Sequence, residues 1–310
     1  MARWCTRSAA AMSFRCGLLV AGLAVASGST AGAQELEPGA YAAAPIGLNL
    51  GVVTNTVSFG DLAFDPAVPI EDATATLNFT TLGYGRTLAL AGRFANVSIG
   101  VPIVAGHLEG RLLGDFAEAD RFGMGDPRAR IGINLYGAPA MDAPTFATVN
   151  PRRLVGASLT VGIPLGQYSP DRLINIGSNR WAFKPEVGVV YGTRRWTIET
   201  YGGVWLFTGN SNFYGGRVRT QDPIGSMQCH VHYVLNPRLL LSGNANFYVG
   251  GRTTVNGTEN VDLQRNMRIG ATLSRPLSGR RVLRLAVSHG AITTIGAAFT
   301  SVSVAFQQVW

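Results

Sequence analysis

Charge is scarce in this sequence: Asp, Glu, Lys and Arg together make up 14% of its 310 residues. Cysteine is scarcer. Cys5 and Cys16 lie in the N-terminal leader described below, so Cys229 stands alone and no disulfide can form within the remaining chain. Long apolar runs are missing as well. After residue 33 none approaches the about 20 residues that a helix needs to cross a bilayer. The formal charge is +8, but the basic residues are scattered, and no Lys/Arg-rich run points to nucleic acid. No G-x-S-x-G motif is present. Gly123-Met-Gly-Asp-Pro127 lacks the Lys-Ser/Thr of a phosphate loop and precedes a strand pattern, so it reads as a loop-to-strand turn.

The N-terminus carries Arg3, Arg7 and Arg15, then the apolar run Gly17–Ala26, then Ala31-Gly32-Ala33 before Gln34. This order predicts a secretory signal peptide over 1–33, cleaved after Ala33, with 34–310 as the mature domain. The apolar run is too short for a membrane anchor. Cys16 precedes that run instead of ending it, which argues against a lipoprotein signal.

Glycine is abundant, with 39 residues. A membrane protein without helical spans has one physical option. Lipid offers no hydrogen bonds, so its backbone must pair between strands of a closed barrel. The decisive signal for that option is alternation. In 154–165, Val155, Ala157, Leu159, Val161 and Ile163 oppose Gly156, Ser158, Thr160 and Gly162. In 181–191, Trp181, Phe183, Val187, Val189 and Tyr191 oppose Lys184, Glu186 and Gly188. The same two-residue period runs through 128–136, 226–233 and 239–249. Segments of about ten residues exceed ordinary soluble strands and suit a tilted membrane crossing. Trp181, Tyr191, Trp196, Trp205, Phe207, Phe247 and Tyr248 lie near segment ends, where interfacial girdles are expected.

Strands are expected near 44–59, 73–90, 95–104, 126–137, 153–165, 181–191, 196–207, 224–235, 239–249, 265–275, 281–289 and 298–310. Tight turns at 91–93, 192–195, 236–237 and 277–280 alternate with loops at 60–72, 105–123, 166–180, 208–222 and 250–264. Residues 138–152 make a longer connection than this alternation calls for, and 290–297 a shorter one. The fold class is therefore all-β: a closed antiparallel transmembrane barrel of about 12 strands, with both termini in the periplasm. The last strand carries Val302, Val304, Phe306 and Trp310 in one phase, with Gln308 the polar exception. A terminal aromatic behind alternating apolar residues marks outer-membrane chains for the barrel-assembly machinery.

Several segments resemble the Gram-negative outer-membrane transporter family named for the meta-pathway of phenol degradation. They are Gly123–Arg128, Asn134–Pro139, the block Pro164–Glu186, and Gly250–Val255. The resemblance implies a barrel and a transport role, and brings no catalytic residues.

The face opposite the lipid carries the candidate lumen and selectivity residues Arg128, Arg130, Lys184, Arg268 and Arg284 against Glu186 and Glu199. Internal ion pairs that brace the barrel are the alternative reading, and Lys184 and Glu186 are same-face neighbours suited to pair. His230 and His232 share that face. With no third ligand beside them they read as polar lumen residues, so no metal and no cofactor is expected. Cys229 falls in the opposite phase and is expected to meet lipid. Ser288 and His289 point to opposite faces and cannot form a catalytic pair. The expected function is a non-enzymatic pore for small anionic or aromatic solutes, narrow or partly occluded at this strand number. One alternative is a structural barrel that binds a partner through loop residues such as Asp171, Arg172, Phe213, Tyr214, Arg217 and Arg219. A lipid-modifying enzyme is another. The expected partners are the bilayer, the assembly machinery and an unidentified solute.

Overall fold

The computed structural model describes residues 39–63, 70–112, 114–149, 151–236, 239–278 and 280–310. The expected leader and its cleavage site, residues 64–69 of the expected 60–72 loop, Pro237 and Gly279 lie outside them. In chain order the first elements are β1 (Asn49–Ala63), β2 (Ile70–Leu90), β3 (Arg93–Leu112), β4 (Asp115–Met124), β5 (Arg128–Tyr136) and α1 (Ala143–Val149). Next come β6 (Arg153–Gly162), β7 (Ala182–Gly192), β8 (Trp196–Phe207), β9 (Asn210–Phe213), β10 (Arg217–Gln221) and β11 (Ile224–Asn236). The chain finishes with β12 (Leu239–Gly250), β13 (Thr253–Val255), β14 (Thr258–Glu259), β15 (Gln264–Ser278), β16 (Arg281–Ile292) and β17 (Gly296–Val309).

Thirteen of these strands form one antiparallel sheet. β4 and β5 both pair with β3, at 103–112 and 95–100 respectively, so they share one place in the wall. The result is the expected closed 12-strand barrel. Closure joins β1 to β17 without a break from Leu50↔Val309 to Ala63↔Gly296. Asn49 and Trp310 then exchange both backbone hydrogen bonds, at 2.9 and 3.1 Å. Among the described residues the ring of paired strands is thereby continuous around the wall, which is the condition for a sheet to stand in a bilayer.

Burial is inverted relative to a soluble protein. Val53, Leu82, Ile99, Ile131, Val187, Ile198, Leu241, Ile269, Leu285, Val302 and Val304 are exposed on the outer wall. Asn134, Lys184, Glu186, Glu199, Gln228, His230, Asn244 and Asn246 are buried inside. The outer face is the apolar belt of a membrane barrel. Tyr84, Tyr136, Tyr191, Trp196 and Trp310 are exposed towards the end that carries both termini. The Trp310 ring lies over Gly51, where an added Cβ would come within 3.2 Å of it. Val302, Val304, Phe306 and Trp310 all stand on the outer face.

Three aromatics depart from the expected girdle. Trp205, Phe207 and Tyr248 point into the barrel and line its internal chamber. Position near a strand end says nothing about face; phase does, and all three share the phase of lumen residues. The expected loops also shrink. Residues 105–123 are mostly the extended hairpin of β3 and β4, paired out to Leu112↔Asp115. Beyond Leu108 the side chains of Asp115–Glu118 are exposed on both faces, so apolar–polar alternation fades while pairing continues. Parts of 208–222 and 250–264 form a small sheet in the order β14-β13-β10-β9. Within it Arg219 is buried against the Phe213 ring at 5.2 Å, so neither is displayed to a partner. The long 138–152 connection contains α1, whose first turn is capped by Asp142 accepting from the Thr145 backbone N–H at 3.0 Å.

Candidate functional site

The lumen has two parts. Towards the termini end, the segment before β1 turns inward and fills the bore with Tyr41, which is only 1% exposed. Its ring rests on Gly156 of β6 and Gly188 of β7, where any Cβ would approach it to 2.3 Å. Arg130 covers the ring at 5.0 Å and Tyr201 meets it edge-on at 4.9 Å. The Tyr41 hydroxyl lies 2.8 Å from Ser158 Oγ and 3.2 Å from both the Glu186 carbonyl and Glu186 Oε1. Asn134 donates to the Tyr41 carbonyl at 3.2 Å. Gly39 N–H donates to Glu199 Oε2 at 2.7 Å.

The barrel residues beneath this plug form a dense polar network. Lys184 Nζ sits 2.9 Å from Glu186 Oε2, as their shared face predicts, and Gln228 donates to the same oxygen at 3.2 Å. Lys184 is the only lysine in the sequence. Glu199 accepts from the Tyr201 hydroxyl, and His232 Nε2 lies 3.4 Å from the same carboxylate. His232 Nδ1 pairs with Ser242 Oγ at 2.7 Å, and His230 Nδ1 with Asn244 Oδ1 at 2.8 Å. The histidine pair is thus tied to neutral neighbours and one carboxylate. Among the described residues no group of three or more metal-ligating side chains occurs. Cys229, between the two histidines, takes the outer phase with intermediate exposure. Ser288 faces inward to accept from Arg268 at 2.9 Å, while His289 is exposed and contacts Thr300 at 3.0 Å.

Above the plug lies a chamber of about 180 Å³. One wall is the apolar cluster of Leu62, Ala75, Leu77, Phe79, Leu108 and Phe299. The opposite side is the loop between β6 and β7, which folds inward so that Leu173 and Ile174 pack on that cluster. Asp126 holds the loop at both ends. One oxygen accepts from Gly166 N–H at 2.9 Å and the other from Ser178 N–H at 2.8 Å. The two limbs cross so closely that a Cβ on Gly177 would lie 2.6 Å from the Gly166 backbone. Segments 123–128 and 164–180, which stand apart in the sequence, therefore form one structural unit.

Arginine dominates the chamber. Arg121, Arg128, Arg180 and Arg268 line it, and Asp126 is the sole carboxylate among its lining residues. Arg128 and Lys184 flank Trp205 at 5.2 and 5.4 Å, marking the boundary between chamber and plug. Arg268 donates to Ser288, Ser301 and the Phe299 carbonyl. Arg284 occupies the inner phase of β16 with intermediate exposure. Every expected lumen residue thus stands inside the barrel, divided between a paired lower network and an arginine-lined upper chamber. Tyr41, Tyr201, Asp126 and Arg180 were not anticipated. The available signal was the pair Gly156 and Gly188 on adjacent strands, which leaves room for something to fill.

A family model described as "Putative MetA-pathway of phenol degradation" matches residues 59–294. The chain belongs to this family. Comparison with curated proteins gave no significant sequence match. Among solved structures, the phenol-degradation family chain superposes on an outer membrane channel from Pseudomonas putida F1 with a TM-score of 0.74 at 20% identity. That overlap covers 89% of this chain and 100% of the other. The beta domain of the Bordetella autotransporter BrkA gives a TM-score of 0.50 at 11% identity, over 84% and 99%. At these identities the likeness is one of fold. With the apolar outer wall, it makes this family member an outer-membrane β-barrel.

Proposed function

We propose that the barrel is a gated pore for small solutes, open to the outside through the chamber and closed towards the periplasm by Tyr41. The observation that carries this reading is a polar bore running beneath an arginine-lined chamber. A barrel that served only as an anchor would gain more from a dry, close-packed interior. The reading assigns no catalysis to the bore. Arg128, Arg130, Arg268 and Arg284 outnumber Glu186 and Glu199 along the path, which favours anions in a narrow passage. In this reading the termini are periplasmic, and the last strand is the segment presented to the assembly machinery.

The test is conductance of the purified protein in a planar bilayer. Discrete openings with a reversal potential displaced towards anion preference are expected. Cation preference removes the selectivity assignment. Absence of both conductance and liposome swelling, even after the plug is removed, favours the alternative of a closed, partner-binding barrel. The network around Tyr41 is the observation on the side of that alternative.

A further inference from the structure

Arg180 is a buried cation with one donor left unsatisfied. It leaves the inward loop beside β7 and is only 6% exposed. It lines the chamber together with Trp205 and Phe207. Its Nη2 donates to Gln221 Oε1, and its guanidinium lies 4.4 Å from the centre of the Phe207 ring. Its Nη1 is buried with no acceptor. A buried guanidinium normally finds a carboxylate or phosphate, because its desolvation is otherwise uncompensated. The one chamber carboxylate, Asp126, has each oxygen occupied by the loop backbone at Gly166 and Ser178. Burial first, and then the neighbouring Arg219, push the Arg180 guanidinium down to about 9, with Asp126 opposing. Arg121 and Arg268 on the same chamber also donate to neutral acceptors. Arg121 reaches the Ile174 carbonyl at 2.8 Å, and Arg268 reaches two serines and a carbonyl.

Opposite these cations stands the apolar wall of Leu62, Leu77, Phe79, Leu108 and Phe299. A cavity with an apolar wall and a few convergent polar groups is the usual form of a small-molecule site. We infer that the chamber binds a small amphipathic monoanion, an apolar body bearing one carboxylate, with the carboxylate on Arg180 Nη1 and the body against Leu77 and Phe79. An inorganic anion would satisfy the arginine and leave the wall wet. A neutral hydrocarbon would fill the wall and leave the arginine bare. The inference deepens the transport reading and rests on it only in taking the bound anion as the one that passes.

The test is calorimetry on the full-length protein folded in detergent, with benzoate, benzyl alcohol and acetate as probes. Benzoate is expected to bind at least about tenfold more tightly than either of the others, roughly the step that one charge-assisted hydrogen bond supplies. Arg180→Gln should bring benzoate down to the level of benzyl alcohol and leave benzyl alcohol unchanged, while Arg180→Lys keeps part of the difference. Gln221→Glu retains the cation but gives it a carboxylate of its own, and should weaken benzoate by about tenfold or more. Folding of each variant is read from its heat-modified mobility on gels. Equal affinity for benzoate and benzyl alcohol, or for benzoate and acetate, overturns the inference. So does unchanged benzoate binding in folded Arg180→Gln or Gln221→Glu. Conductance without benzoate binding removes this inference alone, and benzoate binding without conductance removes the transport reading alone.

Discussion

Replacing Tyr41 with Ala tests whether the N-terminal segment closes the bore. The Tyr41 side chain is almost wholly buried, so its truncation exposes or empties about 150–250 Å² of contact. At about 25 cal/mol per Å² this amounts to roughly 4–6 kcal/mol, close to the about 3–5 kcal/mol typical of buried aromatic-to-alanine changes. The hydroxyl contacts to Ser158 and Glu186 are lost with it. The barrel wall does not depend on this residue, because Tyr41 belongs to no strand. The penalty therefore falls on docking of the segment. A loss of only about 3 kcal/mol raises the undocked fraction roughly a hundredfold. In a planar bilayer, Tyr41→Ala should open far more often, or to a larger step, than the parent. Lys184 gives an independent readout: as the only lysine, 4% exposed beneath the plug, it should react with a water-soluble amine reagent faster in the variant. Tyr41→Phe, which keeps the ring, should fall between, at about 1–3 kcal/mol. If Tyr41→Ala folds, yet conducts and labels at Lys184 like the parent, Tyr41 is not the gate.

Lys184→Met should destabilise the barrel by about 3–5 kcal/mol by leaving Glu186 buried without its counter-ion, whereas Lys184→Met with Glu186→Leu should recover most of it; urea unfolding in micelles reads both. Asp126→Ala removes the acceptors for Gly166 and Ser178, so proteolysis after Arg172 or Arg180 should accelerate while the barrel keeps its heat-modified mobility. Arg128→Gln with Arg268→Gln should move the reversal potential towards cations, and an unchanged value would show that the selectivity lies elsewhere. The hydrogen bonds from Thr145 hold the Asp142 carboxyl below its usual range. The cap on α1 is therefore fully present above that range and is lost as pH falls through the lowered value; faster amide exchange at Thr145 in acid, absent in Asp142→Asn, would report it.

How far the sequence could be read depended on where water lies. Along β6, β7, β11 and β12 one face meets lipid and the other meets the bore, so side chains alternate and both strand and face are legible. Lys184, Glu186, His230 and His232 are all buried on the bore side of these strands. At the far end of the β3–β4 hairpin, around Asp115–Glu118, both faces are exposed and the alternation fades, so a paired hairpin reads as a loop. Trp205, Phe207 and Tyr248 misled because the chamber itself takes aromatic rings. Tyr41 left no period at all, since one residue that fills a hole needs no repeat around it. The bond between Asp126 and the 164–180 loop spans 40 residues or more and has no local signature.

The seam between the first and last strands has a consequence for how this molecule is made. Half of its fourteen-rung zipper is written in the final residues of the chain. Until those arrive, the growing sheet has two raw margins and no inside. The two strands of this seam are the first and the last of the sheet, a non-local pairing that forms slowly when left to itself. A ribosome product cut short before Gly296 would be a curled ribbon unable to shut, however well its other hairpins had formed.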